Sequence, residues 1–165
     1  MNTGSTITID ILPREQPEFL GKYSSFAKQM SIEKLAGHFV PSARCFSDVM
    51  DFALNHGNRN HKFVHGLLRL PDGYLSAHGW IEIGPKFVIE GKFYQGILYF
   101  VKTPASAFIE RHTIVRQQKY TRSEIIKHFN TNNNDCGPWV PWLQDFCAES
   151  EGDNWFRKWE DIDNA

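Results

Sequence analysis

Two clusters of turn residues constrain this chain more than any other feature of it. From Lys62 onward the helical spacing of apolar residues seen upstream gives way to a run of extended segments: KFVHGLLRL, PDG, YLSAHGWIEI, GPK, FVIEGKFYQGILYF. Pro pre-sets φ, Asp hydrogen-bonds its own turn backbone, and Gly enters the left-handed region without steric cost, so PDG and GPK reverse the chain. Segments joined by such short reversals pair with their neighbours, which predicts an antiparallel meander.

Helical patterns flank the meander. In PEFLGKYSSFAKQM, residues Phe19, Leu20, Tyr23, Phe26, Ala27 and Met30 share one helical face, and SIEKLAGHF adds a shorter turn ending near Gly37. Phe46, Val49, Met50, Ala53 and Leu54 follow a second amphipathic pattern, stopped by residues 55–57. After the meander, ASAFIERHTIVRQQ reads as one more strand, and TRSEIIKHF as a helix with Thr121 as N-cap and Glu124 completing a capping box. Residues 130–135, NTNNND, read as a linker into a tail that holds four of the five tryptophans. The order predicts an α+β fold: N-terminal helices, an antiparallel sheet, then C-terminal helices. Residues 1–129 are expected to form the domain, with 130–165 a linker and a Trp-rich helical extension packed on it.

Composition excludes several classes of function. At 165 residues and 41% hydrophobic content the chain can bury a core without cross-links. A net charge of -1 with interspersed signs gives no bulk attraction to nucleic acid. No apolar run approaches a membrane span, and MNTGSTITID lacks the build of a signal peptide. Three cysteines, Cys45, Cys136 and Cys147, with no CxxC spacing argue against a disulfide scaffold or a structural zinc site and predict a reducing, cytoplasmic setting.

Cys45 stands at the start of the second amphipathic helix, directly after Arg44. The partial positive charge of a helix N-terminus stabilises a thiolate, Arg44 acts in the same direction, and Asp48 in the first turn opposes both. Turn positions indicate what lies opposite. If the second hairpin pivots about Gly84, His78 faces Glu90 directly, and a carboxylate there would fix the imidazole tautomer and leave one ring nitrogen as a base. If the first pivots near Asp72, His78 lies beside Gly66, where the missing side chain leaves room for a third group. Cys45, His78 and Glu90 then form a coherent nucleophile, base and orienting acid.

At this point RCFSDV, FVHG and AHGWIEIGPKFVIEG together resemble the papain-like and transglutaminase-like cysteine superfamily, in its small bacterial and phage type. The resemblance spans roughly residues 43–100. It implies a papain-like or transglutaminase-like core, with Cys45 as nucleophile, His78 as base and Glu90 where the family usually has Asp. It also implies cysteine-dependent acyl chemistry on a peptide or protein amide: a thiol-protease-type hydrolase or an acyltransferase. The Gln that papain-like peptidases often carry a few residues before the nucleophile has no counterpart in GHFVPSAR, and Gln29 is too distant in sequence.

Other residues compete for attention. His56, His61, His65 and His78 cluster in sequence, but His61 and His65 lie on an extended run where a four-residue offset is too long for one ion, so neither metal nor cofactor is expected. Glu82 reads as a charge near the turn, facing Lys86. Cys136, in NDCGPW, resembles the Cys-Gly-Pro entry of some cysteine peptidases, yet no histidine follows His128. Cys147, among Trp142, Leu143 and Phe146, reads as packing. Trp155, Phe156 and Trp159 form an apolar stripe expected to pack on the domain as a helix, or to dock a protein partner. A catalytically inactive member of the same scaffold, binding a partner through that stripe, is the competing reading.

Overall fold

The computed structural model describes residues 11–13, 40–41, 44–94, 97–149 and 156–158. The two expected helices upstream of Val40 lie outside them, as do Trp155 and Trp159. The architecture is α+β. An eight-stranded sheet comprises β1 (Ile11–Pro13), β2 (Val40–Pro41), β3 (His61–Arg69), β4 (Tyr74–Ile83), β5 (Phe87–Tyr94), β6 (Ile97–Pro104), β7 (Thr113–Tyr120) and β8 (Phe156–Lys158). Its main path runs β1-β6-β5-β4-β3-β7, and every pairing is antiparallel. The helices are α1 (Cys45–Asn55), α2 (Ala105–Arg111), α3 (Arg122–Thr131) and α4 (Pro141–Glu149). None of them is long and apolar enough to cross a membrane.

Alternation along β3 and β4 divides the core into two layers. Phe63, Ile81, Ile89 and Phe100 pack beneath α1 and α3, joined by Val49, Met50, Phe52, Ala53 and Ile125. On the opposite face Val64, Leu68, Trp80 and Val88 receive Phe108 of α2. Next to the first layer, Leu143 and Phe146 of α4 pack with Cys45, Phe46, Leu75 and Ala77, so the segment after residue 130 shares the core with the start of α1.

Several expectations shift here. The segment from 105 to 118 is a helix and then a strand: Ala107 and Phe108 turn inward on α2, and the extended chain begins only at Thr113. FVIEGKFYQGILYF is two strands, closed by the Tyr94↔Ile97 pair. The Thr121–Glu124 capping box forms as expected, and α3 runs on through Asn130 and Thr131 before the chain turns with Asn133 and Asn134 in left-handed backbone. Residues 156–158, expected in a helix, instead pair with Tyr74–Ser76 of β4. An open strand edge offers that segment backbone hydrogen bonds that its apolar stripe did not reveal.

Candidate active site

The first hairpin has the predicted register, with Gly66 opposite His78. The room over Gly66 is not left for a catalytic group, however. It is filled by the Trp80 ring, so close that a Cβ on Gly66 would lie 2.5 Å from it. Trp80 is fully buried and stacks beside His78, with ring centroids 6.2 Å apart.

The second hairpin pivots one residue later than expected. Ile83 pairs with Phe87, so the turn is Gly84, Pro85 and Lys86, with Gly84 at φ +55°. That displaces the facing partner by two positions and keeps every side chain on its predicted face. Glu90 is therefore a diagonal neighbour of His78. The β4–β5 ladder ends at Ile81↔Ile89. Beyond it the sheet forks: β4 takes β8 as its partner and β5 takes β2.

The first turn of α1 lies across this fork, and two glycines let it in. A Cβ on Gly79 of β4 would sit 3.0 Å from the Cys45 carbonyl oxygen and from Val49 Cγ2. A Cβ on Gly91 of β5 would sit 2.5 Å from Asp48 Oδ2. The helix backbone thus approaches more closely than any side chain would permit. Cys45 starts on one face of the sheet and His78 projects from the other, and the fork is where the two meet.

His78 Nε2 lies 2.9 Å from Glu90 Oε1, leaving Nδ1 as the ring nitrogen that the carboxylate does not occupy. Burial by itself lowers the imidazole pKa. The hydrogen bonds to Cys45 and Glu90, and the charges of both, outweigh it and raise the value to about 9. Glu90 is 1% exposed, with Lys92 Nζ 3.2 Å from Oε1 and Arg111 Nη2 3.8 Å from Oε2. Burial pushes its carboxyl up, but Lys92, His78 and His112 hold it well below the usual range. His112, just after α2, is pushed down to about 4, because burial outweighs the attraction of Glu90. Cys45 itself is 5% exposed. A cavity of about 320 Å³ opens between Arg44, Phe46, Ser47 and residues 134–137; the thiol among its lining residues is Cys136, and Cys45 is not one of them.

The remaining candidates lie elsewhere. Glu82 is bound by Lys119 of β7, at 2.7 Å, rather than by Lys86. His65 is fully buried among Phe46, Tyr120 and Trp139, and neither ring nitrogen has a hydrogen-bond partner among the described residues. His61 contacts the side chain of Asn58 and the ring of Phe52. Cys136 is half-buried; burial pushes its thiol up, against a hydrogen bond to Ser47. Burial, then Cys45, pushes Cys147 up to about 11. Sequence reasoning passed over Gly79, Gly91, Lys92, Arg111 and His112. Lys92 was within reach of it, two residues from Glu90 and so on the same strand face. Arg111 and His112 were hidden by reading their segment as a strand.

No protein-family model, no curated protein and no solved structure matches this chain.

Proposed function

We propose that this chain is a cysteine-dependent acyl-transfer enzyme acting on an amide, with Cys45 as nucleophile, His78 as base and Glu90 as the residue that orients the imidazole. The observation that carries the reading is His78 bound through Nε2 to a buried carboxylate, at a fork in the sheet on which the Cys45 end of α1 is seated. A buried imidazole with one nitrogen on a carboxylate and the other on a thiol is the arrangement that activates sulfur for attack.

In the proposed reaction the thiol proton resides on His78, which the site keeps protonated up to about pH 9, and Cys45 Sγ bonds to the substrate carbonyl carbon. The carbonyl electron pair moves to oxygen, stabilised by N–H groups of the helix start, whose first intrahelical bond runs from Asp48 N–H to the Arg44 carbonyl. Collapse breaks the C–N bond, and the amine leaves with the proton from His78. Water, giving a proton to His78, then opens the thioester; a second amine in its place makes the reaction a transfer. The longer Glu at position 90 suits a diagonal partner, which an Asp would reach less well. The papain-like or transglutaminase-like kinship belongs to the same proposal and rests on the motif residues together with this geometry.

The test is site-resolved alkylation by iodoacetamide at neutral pH, followed by peptide mass mapping. Cys45 is expected to label ahead of Cys136 and Cys147, and His78→Ala to slow it about 10²-fold while the circular dichroism spectrum is retained. Equal, sluggish labelling of all three thiols would overturn the assignment.

A further inference from the structure

Glu90 is surrounded by more positive charge than a buried carboxylate requires. A single cation compensates a single carboxylate, and in the proposed site His78 performs that role whenever it holds a proton. Yet Lys92 from the same strand donates to Oε1 at 3.2 Å, and the Arg111 guanidinium of α2 stands 3.8 Å from Oε2, an oxygen with no hydrogen-bond partner among the described residues. Neither cation is sealed in: their side chains are 12% and 32% exposed, against 1% for Glu90. Both therefore reach the surface while leaning on a carboxylate that solvent cannot reach. With two permanent cations on one carboxylate, the local balance is a single positive charge before His78 is counted.

Resting on the acyl-transfer reading of Cys45, we propose that the substrate is an acidic amide, one with a free carboxylate close to the scissile bond, drawn to Lys92 and Arg111. The guanidinium supplies paired donors in a plane suited to a carboxylate, and Lys92 supplies a compact charge beside it. In a partly enclosed site such charges act more strongly than at an open surface, so they select among substrates as well as attract them. Lys92 and Arg111 are binding residues in this scheme, and the bond-breaking chemistry stays with Cys45 and His78.

Iodoacetate and iodoacetamide are nearly isosteric alkylating agents that differ by one negative charge. The rate ratio of the two at Cys45, in the folded full-length chain, reports the field at the sulfur; the same ratio in the urea-unfolded chain is the reference. The folded ratio is expected to exceed the unfolded one about tenfold, equivalent to roughly 1.4 kcal/mol, and to fall as salt rises. Lys92→Met and Arg111→Gln should each cut the ratio about threefold, while Lys92→Arg, which keeps the charge, should restore it. A folded ratio at or below the unfolded one, or one indifferent to the Met and Gln variants, overturns the acidic substrate and leaves the acyl chemistry standing if iodoacetamide still singles out Cys45. If neither reagent singles out Cys45, both proposals fall together. A variant that unfolds would itself report the unfolded ratio, so the circular dichroism spectrum and urea midpoint of each variant are matched to the wild-type chain before its ratio is read.

Discussion

At the level of single residues, two histidines with opposite environments give opposite pH dependences. His78 is raised to about 9, so the folded chain holds its proton more tightly than the unfolded chain does. That contribution to stability is complete below the ordinary value of 6.5 and is lost as pH rises through about 9. Glu90→Gln removes a hydrogen-bonded negative partner and should move the His78 midpoint down by NMR titration, flattening the alkaline limb of a urea-midpoint series. His65 is depressed to about 3 by burial, with His128 adding to it. Between 6.5 and about 3 the unfolded chain binds the extra proton, so stability present above 6.5 drains away as pH falls, by up to about 1.4 kcal/mol per pH unit. His65→Phe, which keeps an aromatic ring among Phe46, Tyr120 and Trp139, should reduce the difference between urea midpoints at pH 7 and pH 5. An unchanged difference would place the acid sensitivity elsewhere.

At the level of elements, the seat of α1 depends on absent side chains. Gly79→Ala places a methyl group 3.0 Å from the Cys45 carbonyl oxygen, which is backbone and yields little. The cost is expected at roughly 1–3 kcal/mol, as for other overpacked sites. Cys45 alkylation should slow in step as the thiol is carried away from His78. Thr121→Ala is the matched control. It deletes the N-cap of α3, costing about 1 kcal/mol, yet α3 holds none of the three proposed catalytic groups, so alkylation of Cys45 should proceed at the wild-type rate. Thermal melts and alkylation rates on the same preparations separate the two effects. The capping box was legible in sequence because both partners lie within one turn. The fork was not, because it is made by strands that exchange partners: β8 from the far end of the chain, and β2 ahead of α1.

Across the whole molecule, β3 is paired on both sides from Phe63 to Arg69, by β4 and by β7, with buried layers above and below. Its amides should exchange slowest with deuterium. Those of Tyr74–Ser76, paired on the outer side only with the three-residue β8, should exchange sooner. What the sequence by itself determined is what short stretches decide: the alternation of the meander strands β3 to β5, the turn chemistry that set Gly66 opposite His78, the cap of α3, and the cysteine at a helix start. It also identified His78 and Glu90 as partners on one face, since a two-residue error in register leaves facing unchanged. What only the tertiary structure decided is where those pieces meet: the fork over which Cys45 reaches His78, the filling of the Gly66 gap by Trp80, and the gathering of Lys92 and Arg111 on Glu90. The physical reason is range. Backbone preference and turn geometry act over a few residues, whereas burial and charge act between whichever side chains the packed sheet brings together, however far apart they stand along the chain.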